Sequence, residues 1–556
     1  MLYGDFHSPD EDFLSEPENP LHDTDGARLY ETVCSGLLFA IIELNDLQRL
    51  KEYIHVYSPR LDIEDKHYND PLWITASKGR TDILRAMMDY YNTDPTKLPL
   101  HQRRFPLLGA ACRGLQVETS RFLMDTLPLC QSYLDEGLLE AVESLTSLPL
   151  SDCRESSPSE LDDWRSNHII RAEELIHLLL DAGASVQAAW ASATENWLFG
   201  DTYRDEERWK PLQASGTVLG FACSRAGYAL IKRLIDQGAD IHAKEVYDDE
   251  RSRIFATGHG NGKLLSVTAL HISSNFWNTE AIQVLFDYYG CGDNIKEALS
   301  CRDSHGRLPL HWAARGPGSC ECRLSDDIVN NRIIDTLNLL LTNSDIDINA
   351  QDNCGQNALH YAITAHAGCV GSKHFDSLLR LLLKKGADAL QIGLDQQTML
   401  HKLAFHCLAG GPIDGPLNLF LSLGIEINHQ DKDGNTVLHF IARNLRHIQE
   451  TKMLISRGAD AFVTNAKGNN PLHEATTMGS VLPKHMNGEL VKASHDEQRK
   501  ALAEVVAILL EVGGEGMMDQ SNLAGETPRQ LLARRMDMWE RLELAAVERK
   551  RNKCSE

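Results

Sequence analysis

The chain has 556 residues, of which 42% are apolar and 24% charged, an ordinary profile for folded protein and long enough for several domains or one elongated repeat array. Asp and Glu outnumber Lys and Arg by 79 to 55, and the resulting net charge of −24 repels phosphate backbones, which disfavours sequence-independent binding to nucleic acid. No apolar run approaches the ~20 residues of a membrane helix, and the thirteen cysteines follow no disulfide framework, so the expectation is a reduced, intracellular chain.

The N-terminal 26 residues hold eight acidic side chains and no Lys or Arg, with no basic and apolar stretch of a signal peptide. They predict a solvated, disordered acidic tail over 1–30. A first helix pair is predicted at 37–54, in LLFAIIELNDLQRLKEYI. Segments 69–91 (NDPLWITASKGRTDILRAMMDYY), 105–125 and 216–240 repeat one loose form, with Trp73, Leu108 and Gly220 at a shared position. From there the form sharpens. His271, His311, His360, His401, His439 and His473 each close a motif of the type TALH, LPLH, NALH, TMLH, TVLH or NPLH. Most follow an Asp- or Asn-led turn with Gly, as in DSHGRLPLH and DKDGNTVLH. Apolar helices ending in a Gly turn follow several copies, as in LLRLLLKKGAD (378–388) and KMLISRGAD (452–460).

These paired motifs resemble the ankyrin-repeat unit, written D-x-x-G-x-T-P-L-H-x-A-A followed by L-L-x-x-G-A-D, over roughly residues 35 to 548. Each part has a physical reading. Asp with Gly makes the tight turn, Thr and Pro start the first helix, and the Gly of GAD ends the second as its left-handed cap. The resemblance implies an all-α solenoid of about eleven or twelve helix pairs. Its organisation is an acidic tail (1–30), divergent repeats (31–135), divergent repeats with long insertions (136–266), repeats with clear motif (267–522), and a C-terminal capping repeat with a basic tail (523–556). The motif histidines stand 40, 49, 41, 38 and 34 residues apart, against a family period of ~33, so most units carry insertions. In this they are similar to multi-repeat ankyrin proteins of filamentous fungi.

Four insertions, 316–330, 366–373, 407–415 and 479–498, fall between the two helices of their unit. Two others, about 188–213 and 245–266, follow a second helix and belong to the finger side. The first of these, with Trp190, Trp197, Tyr203 and Trp209, predicts a satellite cluster or a binding loop. The Ser- and Asp-rich 151–166 predicts a disordered surface loop.

Nothing in the chain assembles into a catalytic motif. The repeated histidines are one repeat apart, too far to share a metal, and the resemblance gives them a scaffold role between turns. Cys320-x-Cys322, with Cys301 and Cys291 upstream, lacks the usual C-x₂₋₄-C pairing of structural zinc. Gly258-His259-Gly260-Asn261-Gly262-Lys263 approaches a phosphate loop, but Thr257 and Leu264 stand where Gly and Ser or Thr are needed. Neither catalytic nor cofactor-binding nor metal residues are therefore expected. The basic Arg549-Lys550-Arg551-Asn552-Lys553 reads either as a nuclear-import signal or as cations at a helix end.

In the family the residue after the motif His faces the concave surface that binds partners. That position holds Ile74, Gly109, Phe221, Ile272, Trp312, Tyr361, Lys402, Phe440 and Glu474. The expectation is that Phe221, Ile272, Trp312, Tyr361 and Phe440 form an outward apolar seam that anchors a partner protein, unless insertions fold over it. The function so implied is that of a non-catalytic scaffold or adaptor in the cytoplasm or nucleus, with no nucleic acid, membrane or small-molecule substrate. The alternatives are a regulatory ankyrin protein, such as a substrate receptor or transcriptional cofactor, and a cryptic or zinc-assisted enzyme within the insertions.

Overall fold

The computed structural model describes residues 34–57, 70–93, 100, 106–146, 158–189, 216–248, 263–290, 292–317, 326–342, 346–367, 373–407, 413–479, 484–486, 489–491 and 493–553. The acidic tail, the tryptophan-rich insertion from Trp190 onward, and the 258–262 glycine segment lie outside these residues. So do Cys291, Cys320 and Cys322.

The protein is all-α: the described residues are 65% helical, with two short hairpins among them. Of 24 helices among the described residues, Asp293–Ser300 stands between two units and Pro528–Lys553 comes last; the other 22 form eleven consecutive pairs. The chain divides into two compact units: Met1–Leu148 with Arg165–Ala222 and Lys232–Asp240, and Pro149–Trp164 with Cys223–Ile231 and Ile241–Glu556.

In the first unit, helices form where the sequence supplies their ends. Asp70 caps Pro71–Ser77 by accepting from the N–H groups of Leu72 and Trp73, and Pro71 starts that helix. Leu72, Ala76, Ile83, Met87, Leu108, Ala111 and Leu123 are buried between the layers. Polar contacts bind successive layers: Arg80 donates to the Glu43 carbonyl (2.9 Å), and the Thr81 and Thr119 hydroxyls meet at 2.7 Å.

The expected loop at 151–166 is corrected over its second half, because a helix runs from Pro158 to Asp181. Pro158 and Glu160 in its first turn are helix-starting residues. The Ser- and Asp-rich composition hid them.

In the second unit the insertions sit where the motif register puts them. Residues 318–325, 368–372 and 408–412 separate Pro309–Arg315 from Asp326–Leu340, Ala358–His366 from Lys373–Lys384, and Met399–His406 from Asp414–Ser422. The insertion after Pro471–Met478 contributes a hairpin, Lys484–Met486 against Glu489–Val491, before helix His495–Gly513, which Ser494 and Glu497 start with a reciprocal capping box. On the finger side, strand β1 (Glu245–Asp248) pairs antiparallel with β2 (Lys263–Val267).

Left-handed glycines recur in two places, as the repeat requires. Gly386 and Gly458 (φ 99° and 94°) end second helices, while Gly306, Gly355, Gly434, Gly468 and Gly525 (φ 74–77°) turn the finger tips. One tip breaks the pattern. Gln396 occupies the glycine position, five residues before His401, with φ 56°. Its side chain is exposed and its carbonyl accepts from His429 Nε2 (3.1 Å), a bond glycine would keep. Gln396→Gly is therefore expected to stabilise the fold by about 0.5–1 kcal/mol, read as a higher urea midpoint. An unchanged or lower midpoint would show that the strain is absent.

Candidate functional site

The motif histidine is the hinge pin of each unit. Its Nδ1 accepts from the N–H of the residue that begins the first helix: Thr268, Leu308, Asn357, Thr398, Thr436 and Asn470, at 3.0–3.3 Å. Where that residue is Thr, the hydroxyl donates to the same nitrogen at 2.8–2.9 Å. Where the residue is Thr or Leu, Nδ1 is an acceptor, so Nε2 carries the proton and donates forward; at Asn357 and Asn470 the amide oxygen, which only accepts, also lies 2.8 and 2.7 Å from Nδ1, and the two ring nitrogens compete for the proton. His271 reaches the Arg307 carbonyl (3.2 Å), His311 that of Ala350 (3.0 Å), His401 that of Asn435 (3.0 Å), His439 that of Asn469 (3.0 Å) and His473 that of Glu526 (3.3 Å). Each imidazole thus ties its own helix to the turn of the next unit. His360 departs from this: its Nε2 meets no acceptor among the described residues. The irregular Gln396 tip follows it, with Asp395 closer in sequence to its helix than its counterparts are to theirs.

Burial pushes all six imidazoles below their ordinary value, His271, His360 and His439 to about 4. They are neutral scaffold groups.

The finger tips repeat a second device. A carboxylate or amide oxygen accepts from the N–H groups two and four residues on. Asp303 takes His305 and Arg307, Asp352 takes Cys354 and Gln356, Asp431 takes Asp433 and Asn435, and Asn465 takes Lys467 and Asn469, all at 2.7–3.0 Å. Adjacent tips are then joined by backbone bonds: Asn353 N–H to His305, Leu394 to Cys354, Lys432 to Asp395, Ala466 to Asp433 and Leu523 to Lys467. The result is a continuous ladder along the fingers of the second unit.

The residue after the motif His belongs to this device, which corrects the expected outward seam. Trp312 Nε1 donates to Asp303 (3.0 Å) and the Tyr361 hydroxyl donates to Asp352 (2.7 Å); Lys402 pairs with Asp395, and Glu474 accepts from Asn465 (3.0 Å). The partner is nine residues back in three of these four. These side chains lean against their own finger.

Ile272, Trp312 and Phe440 are only 2%, 1% and 6% exposed. Ile272 and Trp312 share one buried cluster with Phe276 and Val267, the last residue of β2, so the inserted hairpin helps to cover them. Arg307 lies over the Trp312 ring (5.1 Å) and forms a buried pair with Asp303 (2.7 Å). Burial alone would raise the Asp303 carboxyl, but Arg307 and the N–H donors hold it below its usual value. Phe440 stands edge-on to His401 and Phe405, with Arg443 over its ring. Tyr361, half-buried, meets His311 edge-on. Phe221, also half-buried, packs on Gly216 in the first unit. Of the four in the second unit, Ile272 and Trp312 share that buried cluster.

Phe405, 44% exposed beside Phe440, and the tip residues Leu394 (74%) and Leu523 (81%) were not predicted. Their signal was present, since each stands at a fixed offset from a motif or tip position. Glu140 was also passed over. It holds Arg113 with two bonds (2.7 and 2.8 Å) from a helix, Gln131–Glu143, that lacks the PLH motif.

A family model described as Ankyrin repeats (3 copies) matches residues 413–483, where helix pairs, tips and histidine ties recur in register. The chain carries ankyrin repeats. An ankyrin repeat protein of Acanthamoeba polyphaga mimivirus is 26% identical over 281 residues, 46% of this chain and 32% of that protein. The transient receptor potential cation channel subfamily A member 1 homolog of Caenorhabditis elegans is 32% identical over 113 residues, 20% of this chain and 9% of its own. Inversin of Homo sapiens is 30% identical over 179 residues, 31% of this chain and 14% of its own. The chain spans about a third or less of the length of these relatives. Ankyrin repeats generally bind other proteins. Among the described residues of this ankyrin-repeat chain, no helix is long and apolar enough to cross a membrane, and no group of three or more His, Cys, Asp or Glu is placed to hold a metal.

Proposed function

We propose that this ankyrin-repeat chain is a non-catalytic scaffold or adaptor that holds a partner protein along its finger tips and first helices. The observation that carries the reading is the backbone-linked row of tips, which lifts Leu394 and Leu523 into solvent on a rigid support. Preorganised apolar side chains bind without the entropy loss of ordering a loop. Of the seam residues, Phe221 and Tyr361 present part of their surface, and Phe405 adds an exposed aromatic face; Ile272, Trp312 and Phe440 support the layer beneath.

The test is affinity capture from native extract with wild type and the Leu394→Asp/Phe405→Ser variant, whose changes are exposed and leave the tips' backbone bonds in place. A partner retained by wild type and weakened at least about tenfold in the variant, at equal melting temperature, supports the reading. Equal capture by both would remove the tips and first helices from the contact.

A further inference from the structure

One carboxyl of the first unit stands outside the pairing that joins its layers. Glu136 and Glu140 lie one turn apart on helix Gln131–Glu143, where side chains four residues apart are neighbours and like charges repel. Glu140 is buried and takes both Nε and Nη2 of Arg113, so the guanidinium of helix Leu107–Arg113 is committed to it (2.7 and 2.8 Å). Glu136 is half-buried and has no hydrogen bond or ion pair among the described residues. Its carboxyl lies back over the preceding layer, with Oε1 3.6 Å from where a Cβ on Gly109 would stand. Gly109 holds the position that Trp312, Tyr361 and Phe440 fill in later repeats, and its bare backbone leaves room for the carboxyl.

We propose that Glu136 is a proton-operated latch of the first unit. Ionised, it holds an unpaired charge against the layer of Leu107–Arg113; one proton removes that charge and tightens the packing of the two helices. Burial and the Glu140 charge raise its carboxyl to about 7, and Arg113, engaged elsewhere, offsets only part of this. The other titratable groups facing it stay protonated around neutral pH. Burial pushes the Cys112 thiol on Leu107–Arg113 up to about 12, and the Tyr133 hydroxyl on Glu136's own helix is also raised by burial. A carboxyl whose folded value is raised costs stability above that value, and the cost disappears as pH falls toward the ordinary 4.5. The first unit therefore tightens on mild acidification, opposite in sign to the buried motif histidines of the second unit.

The test is native-state hydrogen exchange on the full chain at pH 8 and pH 6, with protection corrected for the intrinsic rate, in wild type, Glu136→Gln and Glu136→Ala. Wild-type protection in 107–113 and 131–143 should rise about tenfold from pH 8 to pH 6, the span over which a carboxyl at about 7 passes from ionised to protonated. Glu136→Gln keeps the shape without the charge, so its protection at pH 8 should match that of wild type at pH 6, with no further rise. Glu136→Ala should lose the rise as well, whatever its absolute protection. His168 and His177 on helix Pro158–Asp181 remain in both variants, so any rise of their making would persist there. Unchanged protection of the second unit's helices establishes that the variants are folded. Flat or falling protection in wild type, or an equal rise in the variants, would overturn the latch.

Discussion

Between pH 7 and pH 4.5 the repeats over 268–480 are expected to open while the earlier repeats of the first unit keep their helices. The cause is the row of motif histidines. Their folded values lie below the ordinary 6.5, at about 4 for His271, His360 and His439. A base whose folded value is depressed contributes stability above its unfolded value, and that stability is lost as pH falls through the folded one. The window therefore runs from about 6.5 down to about 4. Lowering a folded value by one pH unit corresponds to about 1.4 kcal/mol, so three such groups represent several kcal/mol in order of magnitude, comparable to the whole stability of a domain. The early repeats carry Trp73 and Leu108 at the same position and lack this liability. Pulse-labelling hydrogen exchange after acid jumps would resolve the two regions. Uniform protection down to pH 4.5 would refute the mechanism.

His447 acts with the opposite sign. Burial alone would lower it, but Cys407 and Glu450 beside it raise it to about 10, with Glu450 Oε1 at 3.2 Å. Its contribution is complete below 6.5 and is lost as pH rises toward 10. It offsets nothing in the acid window and confines the most stable range of these repeats to near neutrality.

Much of the fold was legible because the repeat states its local chemistry outright. The Asp-led turn, the helix-starting Thr or Pro, the His and the Gly of GAD each perform the job their residue types imply. What was not legible needed three dimensions. The residue after the motif His alternates Trp, Tyr, Lys, Phe and Glu, which shares no hydropathy; what most of these share is a turn carboxylate or amide nine residues back. A polar tip on an aromatic ring is invisible to an apolar count, so Trp312 and Tyr361 looked like surface anchors. Helix Pro158–Asp181 was hidden by its polar start, and β1 with β2 by the distance in sequence between two short strands.

That buttress role gives Trp312→Ala a consequence different from that of a contact residue. Trp312 ranks first by volume among the fully buried side chains. Truncation removes its packing against Ile272, Phe276 and Val267, the ring beneath Arg307, and one donor to Asp303. Replacing a buried Trp by Ala costs about 3–5 kcal/mol from the cavity alone. Trp312→Phe keeps most of the volume but loses the N–H, and Arg307 still neutralises Asp303, so about 1–2 kcal/mol is expected. Tyr361→Phe removes one bond to Asp352 at a half-buried site and should cost about 1 kcal/mol. Urea denaturation of the three variants orders them directly. If Trp312→Ala melted like wild type, the indole would be a surface group after all, and the outward seam would return. If the order holds, loss of a partner in Trp312→Ala reports a collapsed finger, and contact must be assigned from exposed positions such as Leu394 and Phe405.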